Sequence, residues 1–276
     1  MRVLGSRYKY GVLGAGAVGA SLIGRLPSKA RELGPVSAVS YRVASRIANT
    51  LRAGYPVRTA DELGDVQGVL LHSPPDYIET LLGLLEGADI DWKGKALVFC
   101  DCFASPAVIE RLRAKGASTA VARQLGIPGR LVVEGNDGAG LRAARRIARE
   151  LRMKAVEISP DSTDSFDAAV TLGSAAISPL IDRAAALLRR AGIGDPEAAR
   201  IASSLFEQTA REYAHSGKQS WAWYVRKPTE ARIEAQIASV GPELGPVLRQ
   251  LLVFGFATFR KKAQATTPGP LASLVE

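Results

Sequence analysis

The chain holds only two cysteines and two histidines in 276 residues. Cys100 and Cys102 are too few for the disulfide framework of a small secreted domain, and a bond between residues two apart would be strained. No histidine cluster completes a metal set, which argues against zinc. The longest apolar runs fall short of the roughly 20 residues that cross a bilayer. Arg2, Arg7 and Lys9 followed by Val12 to Ile23 imitate a signal peptide in outline. That segment is poor in leucine and carries Gly11, Gly14, Gly16 and Gly19, so it reads as the first strand and helix of a cytoplasmic protein with no membrane partner.

The composition is that of a soluble globular protein, with 47% hydrophobic and 23% charged residues. The length suggests two domains, each able to bury a core. The net charge of +9 raises nucleic acid as a partner. The densest basic group is Arg142, Arg145, Arg146, Arg149 and Arg152. Its spacing, with Leu141, Ile147, Ala148 and Leu151 between, reads as the wet side of an amphipathic helix. No aromatic platform is interleaved with it, which argues against nucleic acid.

The most informative stretch is Gly14-Ala15-Gly16-Ala17-Val18-Gly19. An apolar run, Tyr10-Gly11-Val12-Leu13, leads into it, and a helix expected over Ala17 to Leu26 leads out. This is the strand–turn–helix order of a dinucleotide site. The first glycine permits a tight turn, the second lets backbone approach a pyrophosphate, and the third lets the helix pack closely. Free amides at the helix start, Ala17 and Val18 among them, then face the phosphates, aided by the helix dipole.

An NAD site places Asp or Glu at the end of the second strand, about 20 residues on. The second strand is expected over Pro35 to Arg42, and no acid ends it. Ser40, Arg42, Ser45 and Arg46 cluster there instead. A guanidinium can bind a ribose 2′-phosphate with paired hydrogen bonds where a carboxylate would repel it. The expected cofactor is therefore NADP. The plainer alternative is that Arg42 and Arg46 are solvated charges at a helix start.

Further strands are expected at Tyr55 to Val57, Gly68 to His72, Lys95 to Cys100, Ser118 to Ala122, Leu131 to Glu134 and Lys154 to Ile158. Helices are expected at Val43 to Ala53, Asp76 to Leu85, Ala107 to Lys115 (capped by Ser105) and Asp137 to Leu151. This alternation predicts an α/β fold with a doubly wound parallel sheet over residues 1–160. The character changes at Ser159-Pro160, and residues 161–276 are expected to be all helical. Thr163 to Ala191 reads as one helix of about 43 Å at 1.5 Å per residue, bent at Gly173 or Pro179. Helices at Pro196 to Ser216, Thr229 to Val240 and Pro242 to Lys262 follow. Small residues on the long helix, Ala168, Ala169, Gly173, Ala175 and Ala176, suit close packing and point to a homodimer through the C-terminal helices.

The order of elements from Tyr10 to Phe259 resembles the Rossmann-like NADP oxidoreductases related to pyrroline-5-carboxylate reductase and the deazaflavin-dependent NADP oxidoreductases. It looks closest to a poorly characterised branch with its own helical C-terminal domain. Gly14-x-Gly16-x-x-Gly19, Leu70-Leu71-His72-Ser73-Pro74, Val133-Glu134-Gly135-Asn136, Ala168-Ala169-Val170 leading to Ser174, and Ala185 to Leu188 running to Ala191-Gly192-Ile193 carry the resemblance. The chain departs from that branch at three places. Arg123-Gln124-Leu125-Gly126 stands where a His-Pro pair is usual. Asp167 and Ser174-Ala175 stand where the long helix carries His and Ser-Asn. Trp223-Tyr224-Val225 precedes Arg226 where Gly-Pro is usual.

The resemblance implies hydride transfer between NADP and a small imine or carbonyl compound in a cleft between the domains. The cofactor supplies the reacting atom, and one protein group donates a proton or stabilises charge. His72, Asp167 and Ser174 are the catalytic candidates. Ser73, Pro74 and Cys102, at the ends of neighbouring strands, are candidate cofactor contacts. Bland readings stand beside them: His72 bonding backbone, Asp101 capping a turn, Cys102 as packing, Asp167 as a helix cap, Ser174 bonding its own helix. Trp221, Trp223 and Arg226 suit a flat ligand or a substrate carboxylate, with core packing or solvation as the alternative. A non-catalytic NADP-binding sensor or scaffold is the competing function.

Overall fold

Eight strands form one sheet in the order β3-β2-β1-β4-β5-β6-β7-β8. They are β1 (Tyr10–Gly14), β2 (Leu33–Ser37), β3 (Tyr55–Pro56), β4 (Gly68–His72), β5 (Ala96–Cys100), β6 (Ser118–Arg123), β7 (Arg130–Gly135) and β8 (Lys154–Ile158). The computed structural model describes residues 9–102, 106–124, 127–217, 220 and 230–259. Ser105, Leu125, Gly126, Trp221, Trp223, Tyr224 and Arg226 lie outside the described residues.

The first six strands are mutually parallel, in the order that defines a dinucleotide-binding sheet. Alternate residues of each strand serve opposite faces. Val12, Leu70 and Val98 join one core with Ala44, Ile47 and Leu51 of α3 (Tyr41–Leu51) and Ala144 and Ile147 of α6 (Gly138–Glu150). Leu13, Leu71 and Phe99 join the other with Leu81 and Leu85 of α4 (Pro75–Gly87) and Leu112 of α5 (Pro106–Ala114). Both faces being covered, these strands are apolar throughout, as parallel strands are.

The last two strands depart from an all-parallel expectation. β7 runs antiparallel to β6, with Arg123 opposite Val132, and β8 runs parallel to β7. The link from Gln124 to Gly129 is too short for the helical crossover that a parallel partner needs.

Two expected helices are broken. In place of a helix over Ala17 to Leu26 stand a 3₁₀ turn, Val18–Ala20, and a single turn α1 (Leu22–Arg25). Ser21 divides them, its hydroxyl donating to the Val18 carbonyl at 2.7 Å and accepting from the Ile23 amide at 3.2 Å. Two glycines lower helix propensity there by about 1 kcal/mol each against alanine. A Cβ on Gly24 would also lie 1.9 Å from the Gly19 carbonyl oxygen, so the folded-back turn needs glycine at that position. α2 (Lys29–Glu32) is equally short. The second strand ends at Ser37 rather than Arg42, because Ser40 caps α3 by accepting from the Val43 amide at 3.4 Å.

The long helix expected over Thr163 to Ala191 is two helices, α7 (Thr163–Gly173) and α8 (Ile177–Arg190). Pro179 has no amide proton and its ring excludes a preceding helical turn, so the chain restarts at Ile177 with Pro179 in the first turn. By contacts the chain divides into two compact units, Met1–Val170 and Thr171–Glu276. The first extends past the end of β8 because the opening turns of α7 bond to β6 and β7. In the second unit α8 packs on α9 (Asp195–Ser216), where Ala185, Ala198 and Ala202 are buried. Helices Glu230–Ser239 and Gly245–Phe259 close a small cluster of Ile233, Ile237, Leu248 and Leu252.

Candidate functional site

The glycine turn leaves β1 at the point where strand order reverses, between β1 and β4, which is where open α/β sheets bind ligands. The Ala15 amide bonds the His72 carbonyl at 3.0 Å and ties the turn to the end of β4. The amides of Gly16, Ala17 and Val18 meet no carbonyl acceptor among the described residues. Gly16 and Ala17 are exposed. Gly16 has φ +69°, and a Cβ there would lie 2.7 and 2.9 Å from the ring of Pro74. Only glycine lets the β4–α4 loop close against the turn in this conformation. The broken first helix alters the electrostatics: a three-residue 3₁₀ turn sums few peptide dipoles, so attraction for an anion rests on the amides themselves.

Above the turn opens a cavity of about 470 Å³, lined by residues Ala15 to Gly19 together with Val39, Val43, Arg46, Ile47, Thr50 and Tyr77. No carboxylate lines it, and Arg46 is its one cationic lining residue. Gly14 lies buried beneath, where a Cβ would meet Val18 and Ile47. Ser40 caps α3 and Arg42 lies exposed in that helix's first turn, outside this cavity's lining. The cavity fits a diphosphate over bare amides with a second phosphate beside Arg46, which is the donor set an NADP molecule requires.

Around the ends of β4 and β5 the polar groups are already engaged. His72 Nδ1 lies 2.8 Å from the Cys100 carbonyl oxygen, the contact of a ring held at a strand end. The buried Ser73 hydroxyl donates to the Pro74 carbonyl at 2.8 Å. Cys102 is buried, its Sγ on the Leu71 carbonyl at 3.4 Å, and burial pushes its thiol up to about 12. Burial likewise raises the Cys100 thiol well above the ordinary range. Neither is the exposed thiolate of a reactive cysteine. Asp101 has a left-handed backbone (φ +54°) and caps two chain segments at once. Its carboxylate accepts from the Leu22 amide of α1 at 3.0 Å and from the Gln124 amide at 2.9 Å.

One residue beyond Ala122, the sheet carries a buried charge cluster. Arg123 is 5% exposed at the side chain; it donates to Asp167 Oδ1 at 2.7 Å and lies 3.5 Å from Glu134 Oε2. Its guanidinium stands 5.7 Å from the centroid of the Phe166 ring. Thr163 donates to Glu134 at 2.9 Å. Desolvation raises the Glu134 carboxyl, opposed by the Thr163 hydrogen bond and the Arg123 charge. Asp167 is 41% exposed, so this carboxylate is fixed on one side and open on the other. The cluster connects to α1, the turn of helix after the glycines, through consecutive contacts: Asp167 to Arg123, its neighbour Gln124 to Asp101, and Asp101 to Leu22.

Of the residues read from sequence, the structure brings Gly16, Ala17, Val18, Gly19 and Arg46 together around one cavity, with Pro74 against Gly16. Asp167 belongs to the charge cluster, while Ser174 is exposed in the turn after α7, in the second unit. His215 sits in the last turn of α9. Sequence reading passed over Arg123 and Glu134. Their signal was available: a charged residue in an apolar strand must find a partner, and these two carry opposite signs in consecutive strands. Among the described residues no group of three His, Cys, Asp or Glu side chains could hold a metal, and no helix is long and apolar enough to cross a membrane.

A family model described as a domain of unknown function, DUF2520, matches residues 130–249. No curated protein matches the chain. Solved structures match it along nearly its whole length. Protein TM1727 from Thermotoga maritima is 16% identical with a TM-score of 0.64, over 92% of this chain and 100% of that one. A reductive aminase from Aspergillus terreus, solved with NADPH and ethyl-5-oxohexanoate, is 15% identical with a TM-score of 0.65, over 98% and 99%. An imine reductase from Myxococcus stipitatus, solved with NADP+, is 17% identical with a TM-score of 0.59, over 91% and 88%. The chain therefore has the fold of NADP-dependent oxidoreductases and imine reductases, a Rossmann-like domain followed by helices.

Proposed function

We propose that this chain is an NADP-dependent oxidoreductase that reduces a small imine or carbonyl compound. The observation that carries the reading is the cavity over the glycine turn, where bare amides and Arg46 stand together with no carboxylate among the lining residues. The solved neighbours that contain NADPH or NADP+ support the same cofactor. Gly16, Ala17 and Val18 hold the diphosphate by their amides, and Arg46 holds the 2′-phosphate. When bound, the reduced nicotinamide supplies a hydride. Asp167 offers its open carboxylate oxygen to the N–H of a protonated imine, whose carbon takes the hydride to give the amine; with a carbonyl compound the alkoxide formed takes its proton from water. Arg123, itself anchored by Glu134, fixes that carboxylate's direction as a positioning residue.

Replacing Arg46 by Glu is expected to weaken NADPH binding by about 10- to 100-fold, as loss of a charge-assisted bond worth roughly 1.5–3 kcal/mol implies. NADH affinity should stay nearly unchanged. Fluorescence titration of both cofactors reads this directly, and wild-type protein that binds NADH as tightly as NADPH refutes the assignment.

A second reading, an NADP-binding sensor or scaffold without turnover, draws on His72 and Cys102 being held on backbone carbonyls. Steady NADPH oxidation with any imine, keto acid or aldehyde in a screen counts against it.

The assembly proposed is a homodimer through the C-terminal helices. Leu172 is 69% and Phe254 67% exposed, with Leu205, Tyr213, Val247 and Leu251 also open to solvent. A second copy covering these side chains should give a light-scattering mass twice the chain's 29.2 kDa. A mass of one chain contradicts it.

A further inference from the structure

The opposite end of the central strands holds a second cavity, of about 730 Å³, wholly within the first unit. Its floor includes Tyr10, Gly68 and Ala96, the opening residues of β1, β4 and β5, and its wall is the arginine face of α6. We infer that this cavity binds an organic phosphate, with an apolar body against Tyr10 and Val98 and a dianionic head among Arg142, Arg146 and Arg149. The inference is independent of the NADP reading, because the glycine turn lies at the other end of β1.

The charge arrangement points there first. Among the described residues several helix arginines pair with carboxylates: Arg111 with Glu86, Arg211 with Glu207, Arg249 with Glu234. Arg142, Arg146 and Arg149 make no ion pair among the described residues. The one carboxylate lining the cavity, Glu157, is engaged by Arg145 through two hydrogen bonds of 2.7 and 2.6 Å. Glu150, next in the chain, is turned to Lys9 and Ser28. Three like charges at i, i+4 and i+7 share one helix face, about one turn apart, and repel one another. A dianion between them removes that repulsion and accepts from several guanidinium forks; a carboxylate has too few oxygens to meet all three.

Tyr10 is a separate observation. It is 5% exposed and lines the cavity, and Arg146, the polar side chain beside its hydroxyl, can only donate, so the hydroxyl proton has no acceptor among the described residues. A buried donor without an acceptor is costly, and a phosphate ester oxygen among the arginines would supply one. The apolar floor separates this cavity from a surface that only tracks a nucleic-acid backbone, and no aromatic row accompanies the arginines to stack bases.

The test titrates the full chain with phenyl phosphate at low ionic strength by calorimetry, beside inorganic phosphate, AMP and a short DNA duplex. Saturable phenyl phosphate binding is expected, at least tenfold tighter than inorganic phosphate. The R142Q/R146Q/R149Q chain should bind at least tenfold more weakly, Tyr10→Phe several-fold more weakly, and Gly16→Val as wild type. The three arginines are exposed on a helix, so glutamine should leave the fold intact, which circular dichroism checks. AMP tighter than phenyl phosphate, lost in the same variants, identifies a nucleotide as the source; AMP weaker identifies another phosphate ester. Absence of binding, affinity unchanged in the triple variant, loss in Gly16→Val instead, inorganic phosphate binding equally well, or a marked preference for the duplex would each overturn the proposal.

Discussion

Gly16→Val is expected to weaken NADPH binding by at least about a hundredfold, equivalent to roughly 2.7 kcal/mol. Two effects combine. The residue sits at φ +69°, where an L side chain costs roughly 1–2 kcal/mol and a β-branched one fits worst. Its Cβ would also press on the Pro74 ring at 2.7 Å, so either the turn or the β4–α4 loop moves. The branched side chain then stands over the exposed amides meant for the diphosphate. Strain alone should lower the melting temperature by a few degrees. Gly83→Ala supplies the contrast. It lies exposed on α4 with nothing within 4 Å of the added carbon, and it should bind as wild type and gain up to about 1 kcal/mol of stability. A folded Gly16→Val chain with unchanged NADPH affinity would detach the turn from the cofactor and remove the proposed function.

The same turn shows what could and could not be read from the chain. Strands β1, β4 and β5 were legible because burial on both faces leaves an uninterrupted apolar run, and their order around the glycines follows from the fold class. Strand direction was not legible for β7 and β8, since an apolar run looks the same either way. Only the short link after Arg123 carries that information. The first helix was misjudged because spacing favours a helix from Ala17 onward, whereas Ser21 and Asp101 cap a break from outside the local pattern. Asp101 follows β5, almost eighty residues away. The long helix, expected to bend at Gly173 or Pro179, instead stops at Gly173 and restarts at Ile177.

The site divides in the same manner. Backbone features, the glycines and the empty acid position after β2, are local and therefore visible. Arg46 rather than Arg42 reaches the cavity: the two share a face of α3, and Arg46 stands one turn further along it. Side-chain constellations are non-local. Arg123 and Glu134 read as motif letters until β6 and β7 are paired antiparallel, which puts both on the side of the sheet opposite Ala122 and Val133. Arg123, read from the sequence as a departure from the resembled branch, is a guanidinium whose partners in the structure are Glu134 and Asp167, the latter read as a second departure. Two departures that look separate in sequence are one ion pair in space.

That pairing sets up the second large effect. Asp167→Asn is expected to lower turnover of a reducible imine by at least about a hundredfold, the range for losing a group that stabilises transition-state charge. NADPH affinity should be unchanged, because Asp167 is absent from the lining of the cofactor cavity. The substitution is nearly isosteric and keeps an oxygen for Arg123, so the fold should survive it. Arg123→Met is a poorer probe, since an unpaired Glu134 would remain buried at a cost of about 3–5 kcal/mol. Glu134→Gln is the better companion. It relaxes the hold on Arg123 without stranding a charge, and should cost turnover less than Asp167→Asn does. If Asp167→Asn turned over at the wild-type rate while Glu134→Gln did not, the carboxylate at α7 would be a structural counter-ion only, and the substrate cation would have to be held by another group.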